Sequence, residues 1–201
     1  EIDSISLPYM FLNNSYLIKN DNRDSWLEPE IHLIGKINDN NLIWIHLHID
    51  NLDKISSNVI KSIQKYSNNA NFIISFIKGN LKNTQKRISI KCFFLKSYTK
   101  NISLLQYYIV KKVILYQDNF AYIYFLGNDK DLRQHLLETV LNYIKSDKKE
   151  NILLFDSKNL ISRKCSKHLT HFVVSKKIAL HYFNIIKSDI KKVFYEINTL
   201  W

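Results

Sequence analysis

The chain reads as an α+β protein, with a mostly antiparallel sheet, two amphipathic helices packed on it and a long C-terminal helix. Three observations point there. Short apolar runs alternate with polar residues and come in pairs joined by turn-forming residues. Two segments instead space their apolar residues three and four apart, and the last quarter carries a third such stripe. Hairpins punctuated by helices belong to α+β folds, whereas regular strand–helix alternation marks a parallel sheet. A core domain over residues 1–150 and a strand-plus-helix extension over 151–201, packed on or beside it, follow from the order of these runs.

Residues 5–18 form irregular or edge-strand structure, broken by Pro8 and the Asn13–Asn14 pair. Residues 31–37 and 42–49 alternate, and Asn38, Asp39, Asn40 and Asn41 between them tolerate left-handed backbone, which predicts a hairpin. Asp50 or Asn51 then caps a helix whose Leu52, Ile55, Val59, Ile63 and Tyr66 share one face while Lys54, Lys61 and Lys65 point outward. Residues 72–77 and 88–98 read as strands around a Gly79–Asn80 turn. Residues 107–116 and 120–126 read as a second hairpin around Gln117–Asp118. From Asn128 or Asp129 onward, Leu132, Leu136, Leu137, Val140, Leu141 and Ile144 mark a helix that ends in lysines, which suit the negative pole of its dipole. A short strand at 152–155 precedes a helix over about 175–198, with Ile178, Tyr182, Ile185, Ile186, Val193 and Ile197 as its stripe.

Composition removes several functions. With three isolated glycines, Gly35, Gly79 and Gly127, the chain has neither a phosphate-cradling loop nor a dinucleotide turn. The glycine-flanked serine elbow is absent for the same reason. No apolar run is long enough to span a membrane. Cys92 and Cys165 make no disulfide framework, and Cys92 sits in a strand-like run as a small buried residue. Ile, Asn, Lys, Tyr and Phe, all with A/T-rich codons, dominate. The bias is partly mutational, and the expected setting is the cytoplasm of a bacterium or another organism with an A/T-rich genome, with periplasmic or secreted locations left open.

The formal net charge of +11 is unevenly spread. Residues 1–50 hold three basic and eight acidic side chains, residues 51–150 hold 17 and seven, and residues 151–201 hold nine and three. A positive field over the last three-quarters steers acidic partners toward it, although a solvated lysine-rich surface explains the same numbers.

Candidate sites follow from strand and helix periodicity. Trp44, His46 and His48 share one face of the 42–49 strand, and His32 on its expected hairpin partner joins them in some registers. Three imidazoles there suit zinc with an open position, or a polar, partly exposed sheet face. Cys165, His168 and His171 align only if their segment is helical; they suit zinc or an activated thiolate, or else a solvated basic turn. His135 and His181 lie on helices. No pair of carboxylates stands out as acid and base, so no catalytic residue, metal or cofactor is expected.

The order of elements resembles the PsbP-like and DcrB-like α/β sandwich domains over about residues 5–146. The residues that carry it are Leu7–Pro8 followed by Phe11, the helix over 52–66, the run 113–117 with Asp118 and 120–126, and the helix over 131–145. The resemblance implies a non-catalytic protein. Some members serve as chaperones or adaptors of bacterial secreted toxins and bind a partner segment on an exposed sheet, and there are no catalytic residues to carry over.

The expected function is therefore non-enzymatic protein binding, as an adaptor, secretion accessory or toxin-neutralising partner. Its surface is a sheet face with Trp44, His46, His48, Tyr108, Lys111 and Lys112. A basic patch of Arg163, Lys164, Lys167, Lys176 and Lys177 attracts an acidic partner protein. The terminal helix is free to cover the sheet or to dock on a second copy as a homodimer. The alternative is nucleic-acid binding through the basic 51–201 region, where Tyr107–Tyr108 precede Lys111–Lys112 and Lys176–Lys177 precede His181–Tyr182.

Overall fold

The computed structural model describes residues 30–34, 37–87, 92–98, 102–128, 138, 141–142, 152–155, 171–181 and 183–184. Its centre is a seven-stranded mixed sheet. The strands are β1 (Glu30–Ile34), β2 (Ile43–Asn51), β3 (Asn71–Lys78), β4 (Cys92–Lys96), β5 (Tyr122–Asn128), β6 (Ile152–Phe155) and β7 (His171–Ser175). The helices are α1 (Ser57–Tyr66), α2 (Leu81–Arg87) and α3 (Ile102–Tyr116), with a 3-10 turn at Leu52–Lys54. Strands and helices share one body, so the chain is α+β in that coarse sense.

The sheet is not mostly antiparallel. In the order β1-β4-β3-β2-β5-β7-β6, the four central strands run parallel, and antiparallel pairing is confined to β1 on one side and β7 and β6 on the other. The reason lies in β2. Ile43, Ile45, Leu47 and Ile49 are buried on one face and Trp44 on the other. A strand with both faces covered takes a central place, and helical crossovers on those faces make its neighbours parallel. Burying one such aliphatic side chain contributes roughly 1.5–3 kcal/mol, more than any local turn preference.

Both expected hairpins are therefore replaced. The turn at 39–40 forms, with Asn41 N–H donating to the Asn38 carbonyl at 3.0 Å, yet the strands it joins do not pair. β1 instead lies against β4, and β2 lies between β3 and β5. Residues 107–116 are helix, not strand, as part of α3. Its Tyr, Ile and Val residues favour strands, but residues 105–110 are all buried.

α1 matches its stripe. Leu52, Ile55, Val59, Ile63 and Tyr66 are all buried, although the first two precede the helix. The N-cap is Ser56, whose hydroxyl accepts from Val59 N–H at 3.2 Å, while Asn51 caps the 3-10 turn. Val59, Ile60, Ile63 and Tyr66 of α1, partly buried Leu81 of α2 and Leu141 pack on the sheet face lined by Ile45, Leu47, Phe72, Ile74 and Phe94. α3 covers the opposite face with Leu105, Ile109, Val110 and Val113 against Trp44, Ile73, Phe93, Ile123 and Phe125. The expected helix over 131–145 is described only at 138 and 141–142. There Leu141 is buried, and Glu138 accepts from the Tyr66 hydroxyl at 3.4 Å.

The segment set apart as an extension supplies β6 and β7 to this same sheet. After β7 the chain is helical at 176–181 and 183–184. There is no long C-terminal helix among the described residues, which corrects the span expected over 175–198; residues 185–201 lie outside them. Residues 5–18 also lie outside the described residues.

Candidate binding site

The parallel strands give the sheet two unlike ends. At the amino end of β2, buried amides close the structure. Trp44 Nε1 donates to Gln117 Oε1 at 2.7 Å, Asn71 Nδ2 donates to the Asn41 carbonyl at 3.0 Å, and Gln117 Nε2 donates to the Asp39 carbonyl at 2.9 Å. Every donor named here has an acceptor, as a buried polar cluster requires.

The carboxyl end is polar and reaches the surface. Chain order runs from β2 through β3 to β4 and then returns to β5 on the other side of β2, so the order reverses at the β2–β5 pair. In open sheets of this winding, ligands bind beyond the carboxyl ends of the strands at that reversal. His46 and His48 stand there on the α3 side of β2, and the β2–β5 register shifts between them. Ser75 lies opposite His48 on β3.

The three side chains form a chain of contacts. Ser75 Oγ lies 2.7 Å from His46 Nε2 and 2.9 Å from His48 Nδ1. His48 Nε2 lies 3.3 Å from Asp50 Oδ1. The path leads from the interior to the surface: His46 and Ser75 are 4% and 0% exposed, while the side chains of His48 and Asp50 are 21% and 91% exposed. Burial, with a smaller contribution from neighbouring His48, lowers His46 to about 3, so it is neutral. Burial also lowers His48, against the opposing pull of Asp50. Phe125 meets the His46 ring edge-on at 5.8 Å.

The loops around this end are braced. Gly79 has φ +117°, and a Cβ there would stand 2.8 Å from Leu52 Cβ and 2.9 Å from Asp53 N. Asp53 Oδ1 accepts from Asn80 N–H at 3.0 Å, which joins the loops that follow β2 and β3. The loops that follow β2 and β3 are thus joined beside the exposed Asp50 carboxylate and the half-buried His48 imidazole.

The residues expected to face a partner are distributed differently. Trp44 and Tyr108 are 1% and 5% exposed and lie in the core, because helices cover both sheet faces. Lys111 and Lys112 are half-buried on α3. Lys177 is exposed, whereas Lys176 donates to the Asp118 carbonyl and lies 3.5 Å from Asp118 Oδ1. Arg163, Lys164, Lys167, Cys165, His168 and His135 lie outside the described residues. His171 stands in β7, not on a helix, and His181 is exposed on the segment after it. His32, on β1, is separated from β2 by β4 and β3, roughly 14 Å at the usual strand spacing, so it does not join His46 and His48. Among the described residues no three His, Cys, Asp or Glu side chains gather as a metal site. None of their helices is long and apolar enough to cross a membrane.

Ser75 was not foreseen. Its signal in the sequence is a lone hydroxyl within the apolar run Phe72–Phe76 of β3, where a buried polar group must find a partner.

Fold and site together define an open, parallel-centred sheet with helices on both faces and a polar cluster at its carboxyl end. No protein-family model matches the chain, and no curated protein matches its sequence.

Proposed function

We propose that this chain binds a small polar ligand at the carboxyl end of its parallel strands, with His48 and Asp50 as the contacting groups. One observation carries the reading: a buried imidazole–hydroxyl pair, His46 and Ser75, leads to a partly exposed imidazole where the strand order reverses. A sheet interior has no need of two histidines and a serine in contact, and keeping them there costs desolvation. The reading is one of binding, and no bond-breaking step is assigned. It is tested by screening small polar fragments against 15N-labelled protein by NMR. Binders are expected to shift His48 and its neighbours and to lose affinity at least tenfold in His48→Ala. Binders that shift only distant residues overturn the reading.

A second reading, the docking of an acidic partner protein, rests on α3. Leu115 and Tyr116 are 69% and 42% exposed, and Leu115 follows Lys112 and Lys111 by three and four residues, one helical turn. An apolar side chain flanked by cations suits a partner with an acidic rim. Leu115→Glu is expected to abolish capture of such a partner in a pull-down at low salt. Capture that survives both Leu115→Glu and high salt removes this reading.

A further inference from the structure

The contacts at the carboxyl end dictate where the protons lie. Asp50 is a carboxylate and accepts only, so the His48 nitrogen facing it, Nε2, carries the hydrogen. A neutral His48 then has a bare Nδ1, which accepts from the Ser75 hydroxyl at 2.9 Å. With its one proton committed, Ser75 Oγ receives the Nε2 hydrogen of His46 at 2.7 Å. The chain has one polarity: His46 donates to Ser75, Ser75 to His48, and His48 to Asp50.

Asp50 holds the last donor loosely. Its side chain is 91% exposed and 3.3 Å away, so an incoming acceptor displaces it at little cost. The carboxylate stays close enough to repel an anion.

From this geometry we infer that Asp50 sets the direction of the chain and that His46 and Ser75 are positioning residues that complete it, together holding His48 in its Nε2–H tautomer, so that the site offers an imidazole N–H to an uncharged acceptor oxygen of the carbonyl class on its ligand. This rests on the ligand-binding reading above and specifies the ligand chemistry. The serine at position 75 is explained by it: a hydroxyl can receive one hydrogen bond and pass one on, which an aliphatic residue cannot do.

The test is 15N NMR of the imidazoles in the full chain. The wild-type protein is expected to show His48 with a bare Nδ1 and a protonated Nε2 at neutral pH. Ser75→Ala is expected to give a mixture of tautomers, and Ser75→Thr, which keeps the hydroxyl, to restore the single form. If Ser75→Ala does not fold, His46→Phe removes the donor behind Ser75 and is expected to give the same mixture. A wild-type His48 protonated at Nδ1, or a tautomer indifferent to both variants, overturns the inference. N-methylacetamide and acetate then serve as probes. The amide is expected to move the His48 Nε2 resonance and acetate to leave it; an equal response to acetate overturns the uncharged class. If the tautomer is held and neither probe moves His48, the ligand half of the inference and the binding reading fail together, while the proton arrangement stands.

Discussion

Trp44 Nε1 donates a 2.7 Å hydrogen bond to Oε1 of Gln117, 73 residues further along the chain. The bond ties the amino end of the central strand β2 to the turn that leaves α3. The same oxygen receives Asn71 Nδ2 at 3.3 Å, so one amide serves two strands. The Trp44 ring also stacks on Phe93 at 5.7 Å. The sheet's amino end is thus closed by an amide, and its carboxyl end carries the imidazoles.

Gln117→Leu leaves the Trp44 indole N–H and one Asn71 contact without their acceptor in a buried place. Each unsatisfied buried group costs about 1–3 kcal/mol, so a loss of about 2–4 kcal/mol is expected. Urea unfolding measures it. A loss below about 0.5 kcal/mol would show that the amide cluster does not carry stability.

Gly79→Ala places a methyl against Leu52 Cβ at 2.8 Å and imposes a side chain at φ +117°. Strain and crowding together predict about 2–4 kcal/mol of destabilisation. Because Leu52 and Asp53 lie within three residues of Asp50, the variant is also expected to shift the His48 resonances. Unchanged stability and unchanged spectra would refute the close packing of these two loops.

His46 makes the fold acid-sensitive. Its folded value, about 3, lies below the unfolded 6.5, so only the unfolded chain takes up this proton between them. The contribution of His46 is full above about pH 6.5 and falls by about 1.4 kcal/mol per pH unit as pH drops toward 3. His48, also lowered by burial, acts in the same direction. Unfolding curves at a series of pH values measure the slope. A His46→Gln variant is expected to flatten it, and an unchanged slope would assign the acid sensitivity elsewhere.

Cys92 is 3% exposed, and burial pushes its thiol up to about 12. In a Cys165→Ser background a disulfide reagent is expected to modify it only as fast as the protein unfolds. Rapid modification of the native protein, with no dependence on denaturant, would contradict its place in β4.

Much of the local structure was legible from residue order. The period of two in β2 assigned Ile43, Ile45, Leu47 and Ile49 to one face and Trp44, His46 and His48 to the other, as found. The period of three and four identified the buried face of α1, and Asn38–Asn41 marked a turn that forms. Residues 107–116 imitate a strand because β-branched and aromatic residues fill the run and its partly exposed side carries Ile114, Leu115 and Tyr116 beside the two lysines, so no clear polar stripe marks the helix. The run 113–117, which carries part of the likeness to the PsbP-like and DcrB-like domains, ends this helix instead of forming a strand. Half of the candidate site was visible: the two histidines stood out by their spacing on one strand face, but Ser75 meets them only through strand pairing.

Periodicity and turn chemistry are local properties, and neighbouring residues set them before any strand chooses a partner. Partner choice is not local. β2 takes β3 and β5 instead of β1 because apolar groups on both its faces must leave water together, and the helix-covered parallel centre of the sheet buries both. That choice brings Ser75 between His46 and His48, sends Trp44 and Tyr108 into the core and leaves His32 near the far edge.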